Sequence, residues 1–287
     1  MSVSKYYATT RHVTNTGYAV SREMSRSGFT LVELAIVLVI IGLLVGGIFV
    51  GTILVRESQL KAVVSEVSKY RQALNAFHEE YHGLPGDIPN ATTFWGVAGG
   101  DGSGLDQACY DAVGTGTATC NGNNDGYIAI NNGFPTSAGV REDLRAWQHL
   151  YNAGLIESKV TGTQTGTGNL CGFCTALGVN IPKSKLTGAG YSLWYLGAQT
   201  SHPQWYDASY GNALFFGAQL NYTSGGILKG DEASLLDTKM DDGSPSGGKV
   251  LAWKSTPRCT TSDVDATAAY NGTNRNPVCA LIFKSDW

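Results

Sequence analysis

Glu33 is the residue whose chemistry first asks for an explanation. It stands one residue before an uncharged run from Leu34 to Val55. That run is long enough to cross a bilayer as a helix. A carboxylate at the edge of such a span is costly unless something pairs with it, so it reads as functional. A second constellation is His78-Glu79-Glu80-Tyr81-His82. On a helix, histidines four apart share a face and can hold zinc, with Glu79 as general base. A third is Asn121-Gly-Asn-Asn-Asp-Gly-Tyr-Ile128. Its alternating oxygen side chains resemble the opening of a calcium loop, with Asn121, Asn123 and Asp125 as ligands. The first ligand is Asn rather than Asp, and the twelfth position is Asn132 rather than Glu. Such a site is weak unless Glu142 or Asp143 folds back on it, and an Asn/Gly turn uses the same residues for backbone reasons. Asp237, Asp241 and Asp242 read as a capped, solvated turn rather than a metal or partner site.

Cysteine supplies the remaining chemistry. Cys109, Cys120, Cys171, Cys174, Cys259 and Cys279 are the six present, and an even count on an exported side favours disulfides. Neighbour pairing, Cys109–Cys120, Cys171–Cys174 and Cys259–Cys279, is the simplest arrangement, with the other connectivities left open. Cys171-Gly-Phe-Cys174 also has redox spacing, but no strand-then-helix pattern frames it, so it reads as a local staple. One Cys-x2-Cys pair falls short of a zinc site.

These groups need elements to hold them. Leu60, Val63, Val64, Val67, Tyr70, Leu74, Phe77 and Tyr81 recur at three- and four-residue steps, and no proline occurs between Phe29 and His82. This predicts one helix about 80 Å long at ~1.5 Å per residue, apolar all round in its first half and one-sided in its second. Gly42, Gly46, Gly47 and Gly51 form small-xxx-small pairs that let helices approach closely in lipid. Gly83 and the prolines at 85 and 89 end the helix. The stripe puts His78 at its margin and His82 further out, and only His149 and His202 follow as further histidines. A second helix is predicted over 142–152 with Leu144, Trp147, Leu150 and Tyr151 inward, and a short one over 231–240. Strand-like runs are Tyr191 to Leu196, Ala213 to Leu220, Val250 to Trp253 and Val278 to Phe283. The expected fold class is α+β, a long helix lying on a C-terminal antiparallel sheet.

Charge decides the orientation. Lys5, Arg11, Arg22 and Arg26 precede the run against Glu23, a net of +3 that keeps this end in the cytoplasm. No small-residue cut site follows the apolar run, so it is not a secretory signal. Cleavage is expected before it, at Gly28-Phe29. Four of the 20 basic residues and one of the 23 acidic residues fall in the leader, which leaves a product with net charge −6. That argues against a nucleic-acid binder. Thirty-seven glycines and only 15% charged residues point to a loop-rich exported domain.

Gly28-Phe29-Thr30-Leu31-Val32-Glu33-Leu34 resembles the processing motif of type IV pilins and type II secretion pseudopilins. The resemblance implies a membrane aspartyl peptidase that cuts after Gly28 and methylates Phe29. It also implies that Glu33 pairs with the free amine of a neighbouring subunit's first residue. Met24-Ser-Arg-Ser-Gly28 alone resembles the leaders of that family, so translation is expected to start at Met24. Leu84-Pro-Gly-Asp87 with Trp95-Gly96, Ala146-Trp-Gln-His-Leu150 with Ala153-Gly-Leu155, and Asp237-Thr-Lys-Met-Asp-Asp-Gly243 resemble a subgroup of large pilin-like proteins.

The implied organisation is a leader (1–28), a membrane and filament-core helix (29–55), its amphipathic continuation (56–82) and a periplasmic head (83–287). The chain is then a non-enzymatic, single-pass inner-membrane protein with its N-terminus in the cytoplasm. Its partners are copies of itself or other pilins and pseudopilins, the prepilin peptidase and an inner-membrane assembly platform. No cofactor is required, and a structural calcium ion, which some family members hold, stays open. So do two alternatives. One is a minor pilin whose head binds a surface or DNA, with Trp194, Trp205 and Tyr206 contributing to an exposed patch. The other is a membrane-anchored zinc hydrolase using His78, Glu79 and His82.

Overall fold

A computed structural model describes residues 28–104, 106–130, 141–164, 175–220, 222–254 and 259–285. Cys171, Cys174, Asn132 and the leader ahead of Gly28 lie outside the described residues. The chain divides into two compact units, Met1–Gly51 and Thr52–Trp287. Helix α1, Leu31–Tyr81, runs through that boundary.

In the first unit α1 is apolar on every side and its side chains are exposed, from Leu31 to Val50. This helix is long and apolar enough to cross a membrane. A Cβ added at Gly42, Gly46, Gly47 or Gly51 would meet nothing within 4 Å, and α-helix is unbroken through all of them.

The second unit is α+β. After α1 come α2 (Ala91–Trp95), α3 (Gln107–Asp111) and α4 (Glu142–Asn152). They are followed by β1 (Ala189–Tyr195), β2 (Ala198–Gln199), β3 (Ala208–Ser209) and β4 (Asn212–Ala218). Helix α5 (Gly230–Met240), β5 (Val250–Ala252) and β6 (Leu281–Phe283) complete the order. The main sheet is antiparallel with strand order β1-β4-β6-β5, and β2 pairs with β3. The register pairs Tyr191 with Phe216 and Leu193 with Leu214, then Leu214 and Val250 with Phe283. These residues share one face because side chains alternate along a strand.

That face receives α1. Leu60, Val63, Val67, Tyr70, Ala73, Leu74 and Phe77 are buried, while Val64 and Tyr81 are half-buried. Each fully buried aliphatic or phenyl side chain contributes roughly 1.5–3 kcal/mol. The Tyr70 ring meets Trp147 of α4 edge-on at 5.1 Å and Tyr191 of β1 at 4.9 Å, so three elements join on it. Polar contacts add direction. Glu66 accepts from Ser184 Oγ, Lys185 N and Tyr191 Oη. Arg56 grips Glu232 at the start of α5 with two hydrogen bonds, 2.6 and 2.7 Å. Burial pushes the Glu232 carboxyl up, but the Arg56 bonds and charge with the Lys229 amide outweigh it and hold it below its usual range.

The opposite sheet face is also covered. Trp194 stacks on Phe215 at 4.4 Å, and Trp205 meets Trp253 at 4.2 Å. Trp194, Trp205 and Tyr206 are therefore buried and form no exposed patch. Aromatics of a β-rich head are more often core than surface, and these three are core, so they contribute nothing to the adhesive alternative.

Helix α4 departs from its expected one-sided pattern. Leu144, Trp147 and Leu150 are buried and Tyr151 half-buried, but Glu142, Asp143, Arg145, Gln148 and His149 are buried too. For Arg145, Gln148 and His149 the reason is the loop closed by the Cys109–Cys120 disulfide, which folds over the polar face, whereas Glu142 accepts from the Asn123 and Ala129 amides. Arg145 donates to Cys109 O and Ala112 O, and Gln148 Nε2 donates to Ala118 O. The second disulfide, Cys259–Cys279, precedes β6.

His149 lies under the same loop and is wholly buried. Its Nδ1 accepts from Gly86 N at 2.9 Å, so the proton sits on Nε2, which faces Thr119 Oγ1 and Cys120 O. Gly86 is needed here, because it has φ +88 and a Cβ would overlap the Glu142 carbonyl. Burial, helped by the Arg145 charge and opposed by the Cys120 carbonyl, pulls the imidazole from 6.5 down to about 3. A base whose folded pKa is depressed stabilises the fold above its unfolded pKa, and that share is lost as pH falls from 6.5 towards 3. Urea midpoints of wild type and His149→Gln should therefore diverge as pH falls below 6.5, with the wild type losing more. Parallel pH curves would show that His149 is not the acid-sensitive group.

Candidate functional site

Gly28, Phe29 and Glu33, the residues of the expected processing motif, lie at the start of α1. Glu33 Oε2 accepts from Thr30 N at 2.9 Å and Thr30 Oγ1 at 2.8 Å, while Glu33 N donates to Thr30 Oγ1 at 3.2 Å. This is a reciprocal capping box, which satisfies helix-start amides that otherwise lack partners. The spacing Thr30-x-x-Glu33 signals it, and the reading of Glu33 as a charge alone missed it. Phe29 is 91% exposed and lies directly ahead of the cap. The junction at Gly28-Phe29 is outside the helix, and a Cβ at Gly28 would meet nothing within 4 Å. Both Thr30 contacts use the same carboxylate oxygen of Glu33.

The zinc pattern fares differently. Helix α1 ends at Tyr81, and His82 takes a left-handed φ of 54°. His82 is thus the first residue past the helix, its N still donating to His78 O at 2.9 Å, and among the described residues neither His78 nor His82 joins a group of three metal-ligating side chains. The ending also corrects the role of Gly83. The left-handed residue is His82, while Gly83 is demanded by packing, since a Cβ there would sit 2.6 Å from Ile88 Cγ2. His78 and Glu79 are exposed. Among the described residues, His149 is committed to Gly86, and His202 belongs to the head surface beside Trp205.

The calcium-like loop is rearranged. Asn121 Oδ1 is engaged by Thr92 N at 2.8 Å and Thr92 Oγ1 at 3.0 Å. Asn123 and Asp125 bond each other, closing an Asx-type turn. The carboxylates brought together are Asp87, Asp125 and Glu142, with ligand oxygens within 4.8 Å of one another. Glu142 does fold back on the loop. It accepts from Asn123 N and Ala129 N, and Asp87 accepts from Asp125 N and Gly126 N. Burial pushes Glu142 up to about 8, against the Ala129 amide, and the Asp87 charge adds to the rise. Oxygen-only donors suit a hard divalent cation, though every carboxylate oxygen of Asp87 and Glu142 already holds a backbone amide. Asp87 escaped the motif because it lies 34 residues ahead of Asn121 in the chain. Asp237, Asp241 and Asp242 also converge. Asp237 is a buried member of α5 rather than a solvated turn residue, and it accepts from Tyr270 Oη and Gly243 N.

Residues 24–49 match the family model of the prokaryotic N-terminal methylation motif. That motif is the signature of type IV pilin and pseudopilin prepilin-like proteins. No curated protein and no solved structure matches the chain.

Proposed function

We propose that this chain, which carries the prepilin-type methylation motif, is a structural filament subunit. It is made as an inner-membrane precursor with its leader in the cytoplasm and its head in the periplasm. It is cut after Gly28, methylated at Phe29, and built through α1 into a type IV pilus or a type II secretion pseudopilus. The observation that carries this reading is the motif over residues 24–49 running directly into a capped helix with an exposed apolar surface. An all-apolar helix surface needs lipid or neighbouring helices to cover it.

The mechanism is mechanical. Cleavage exposes a Phe29 amine immediately ahead of the Thr30 cap. Opposite charges pair strongly in a low-dielectric bundle, so Glu33 of one subunit meets that amine on a neighbour and sets the axial register. The partners are copies of this chain or other pilins, the prepilin peptidase and an inner-membrane assembly platform. Neither nucleic acid nor enzymatic activity belongs to this reading. It requires no cofactor, and a structural calcium ion enters only as an optional ligand of Asp87, Asp125 and Glu142.

Intact mass and N-terminal sequencing of the protein from its native membrane fraction test the proposal. N-methylated Phe29 as the first residue is the expected result. A retained leader would reduce the protein to a single-pass anchored domain and remove the filament reading.

A further inference from the structure

Two tyrosines that lie 68 positions apart in the chain meet at the head surface. The rings of Tyr127 and Tyr195 have centroids 4.0 Å apart at an interplanar angle of 42°. Tyr127 is 45% exposed and Tyr195 37%. Every other described tyrosine is buried or half-buried. The backbone around the pair is fixed. Asn212 Nδ2 donates to Gly126 O and Asn212 Oδ1 accepts from Ile128 N, so one side chain clamps both neighbours of Tyr127. Tyr195 N donates to Ile128 O at 2.9 Å, and Tyr195 pairs with Asn212 across β1 and β4.

We infer that Tyr127 and Tyr195 form an oxidative cross-linking site, where a peroxide-driven oxidant joins the two rings as dityrosine. The chemistry balances with hydrogen peroxide as the oxidant. Each phenol gives up its hydroxyl hydrogen, one proton and one electron, to leave two phenoxyl radicals. A carbon–carbon bond then forms between the ring positions beside the two oxygens. The hydrogen on each joined carbon moves to its oxygen and restores the phenol. The two protons and two electrons reduce one peroxide to two waters. Coupling of radicals is ordinarily limited by their encounter, and groups held in contact avoid that cost. Exposure admits the oxidant, and the clamp holds the partners together. The Cys109–Cys120 and Cys259–Cys279 disulfides fit a head that matures under oxidising conditions. The new bond would fasten the 121–130 loop to the edge strand of the main sheet.

The test treats the full chain, purified in detergent, with a haem peroxidase and limiting hydrogen peroxide, and then maps its peptides. The expected product joins the Tyr127 and Tyr195 peptides, two hydrogen atoms lighter than their sum, with the blue emission of a biphenol. Its yield should not depend on protein concentration. Tyr127→Phe and Tyr195→Phe should each lose it. Both variants keep the ring, and an unchanged thermal midpoint verifies the fold. The inference is overturned if no 127–195 link forms while free tyrosine in the same tube dimerises. Links that join only other tyrosines, or only separate molecules, would overturn it equally.

Discussion

Glu33→Gln is expected to leave the protein in the membrane and cleaved at Gly28-Phe29, yet to remove it from assembled filaments. Glutamine keeps an oxygen for the Thr30 amide, so the capping box survives and only the charge is lost. Two unit charges about 4 Å apart at an effective dielectric of about 20 interact by roughly 4 kcal/mol. Losing that term for each subunit lowers affinity for the growing end about a thousandfold. Glu33→Ala should fail in the same way. The control is Thr30→Ala, which weakens the cap by about 1 kcal/mol but keeps the carboxylate. It should enter filaments nearly as wild type does. The measurement is the filament-to-membrane ratio of each variant after shearing or fractionation. Equal incorporation of Glu33→Gln and wild type would end the register role. Loss in Thr30→Ala to the same degree as in Glu33→Gln would assign the effect to helix capping.

Trp147→Ala should cost about 3–5 kcal/mol, the range for deleting a large buried ring. Trp147 is fully buried and touches Tyr70, where α1, α4 and β1 join. Whole domains are stable by only about 5–15 kcal/mol, so this variant should be partly unfolded or protease-sensitive at room temperature. Trp147→Phe should be far milder, about 1–2 kcal/mol. It keeps a ring, and it also removes an indole N–H that finds no acceptor. Urea unfolding of both variants checks the pair. Similar small losses would show that the junction is dispensable.

The elements were largely legible and their far sides were not. Helix α1 follows from the apolar steps between Leu60 and Phe77, and α4 has the boundaries its pattern predicts. Strand centres are also where the β-branched and aromatic runs put them, because local period reports one buried face. Nothing local reports a second. The polar side of α4 reads as solvated, yet Arg145, Gln148 and His149 are buried under a loop whose contacts arise 29 to 36 residues earlier. For Trp194 and Trp205 the sequence favours core over surface without saying what covers them, and the cover is the second layer on the sheet. At the N-terminus, the methylation motif was legible because motif and helix start coincide in one short stretch. The surroundings of Asn121 were not legible for the opposite reason. Its partner, Thr92, lies on another element. The meeting of Tyr127 with Tyr195 likewise depends on Asn212, which carries no motif.

The strand order has a consequence for how the head is made. β6 lies between β4 and β5, yet it is the last of the four to be synthesised. The β1–β4 hairpin can close early, whereas β5 has no neighbour in the sheet until Leu281–Phe283 arrives. A chain emerging N-terminus first therefore carries β5 unpaired, with the sheet unfinished, until its last residues follow. Non-local pairing of this kind is slow and leaves strands open to wrong partners. Cys259–Cys279 shortens that interval, since the bridge shrinks the search that delivers β6 to its slot. Thiol oxidation thus belongs to the timing of the head's completion as well as to its strength.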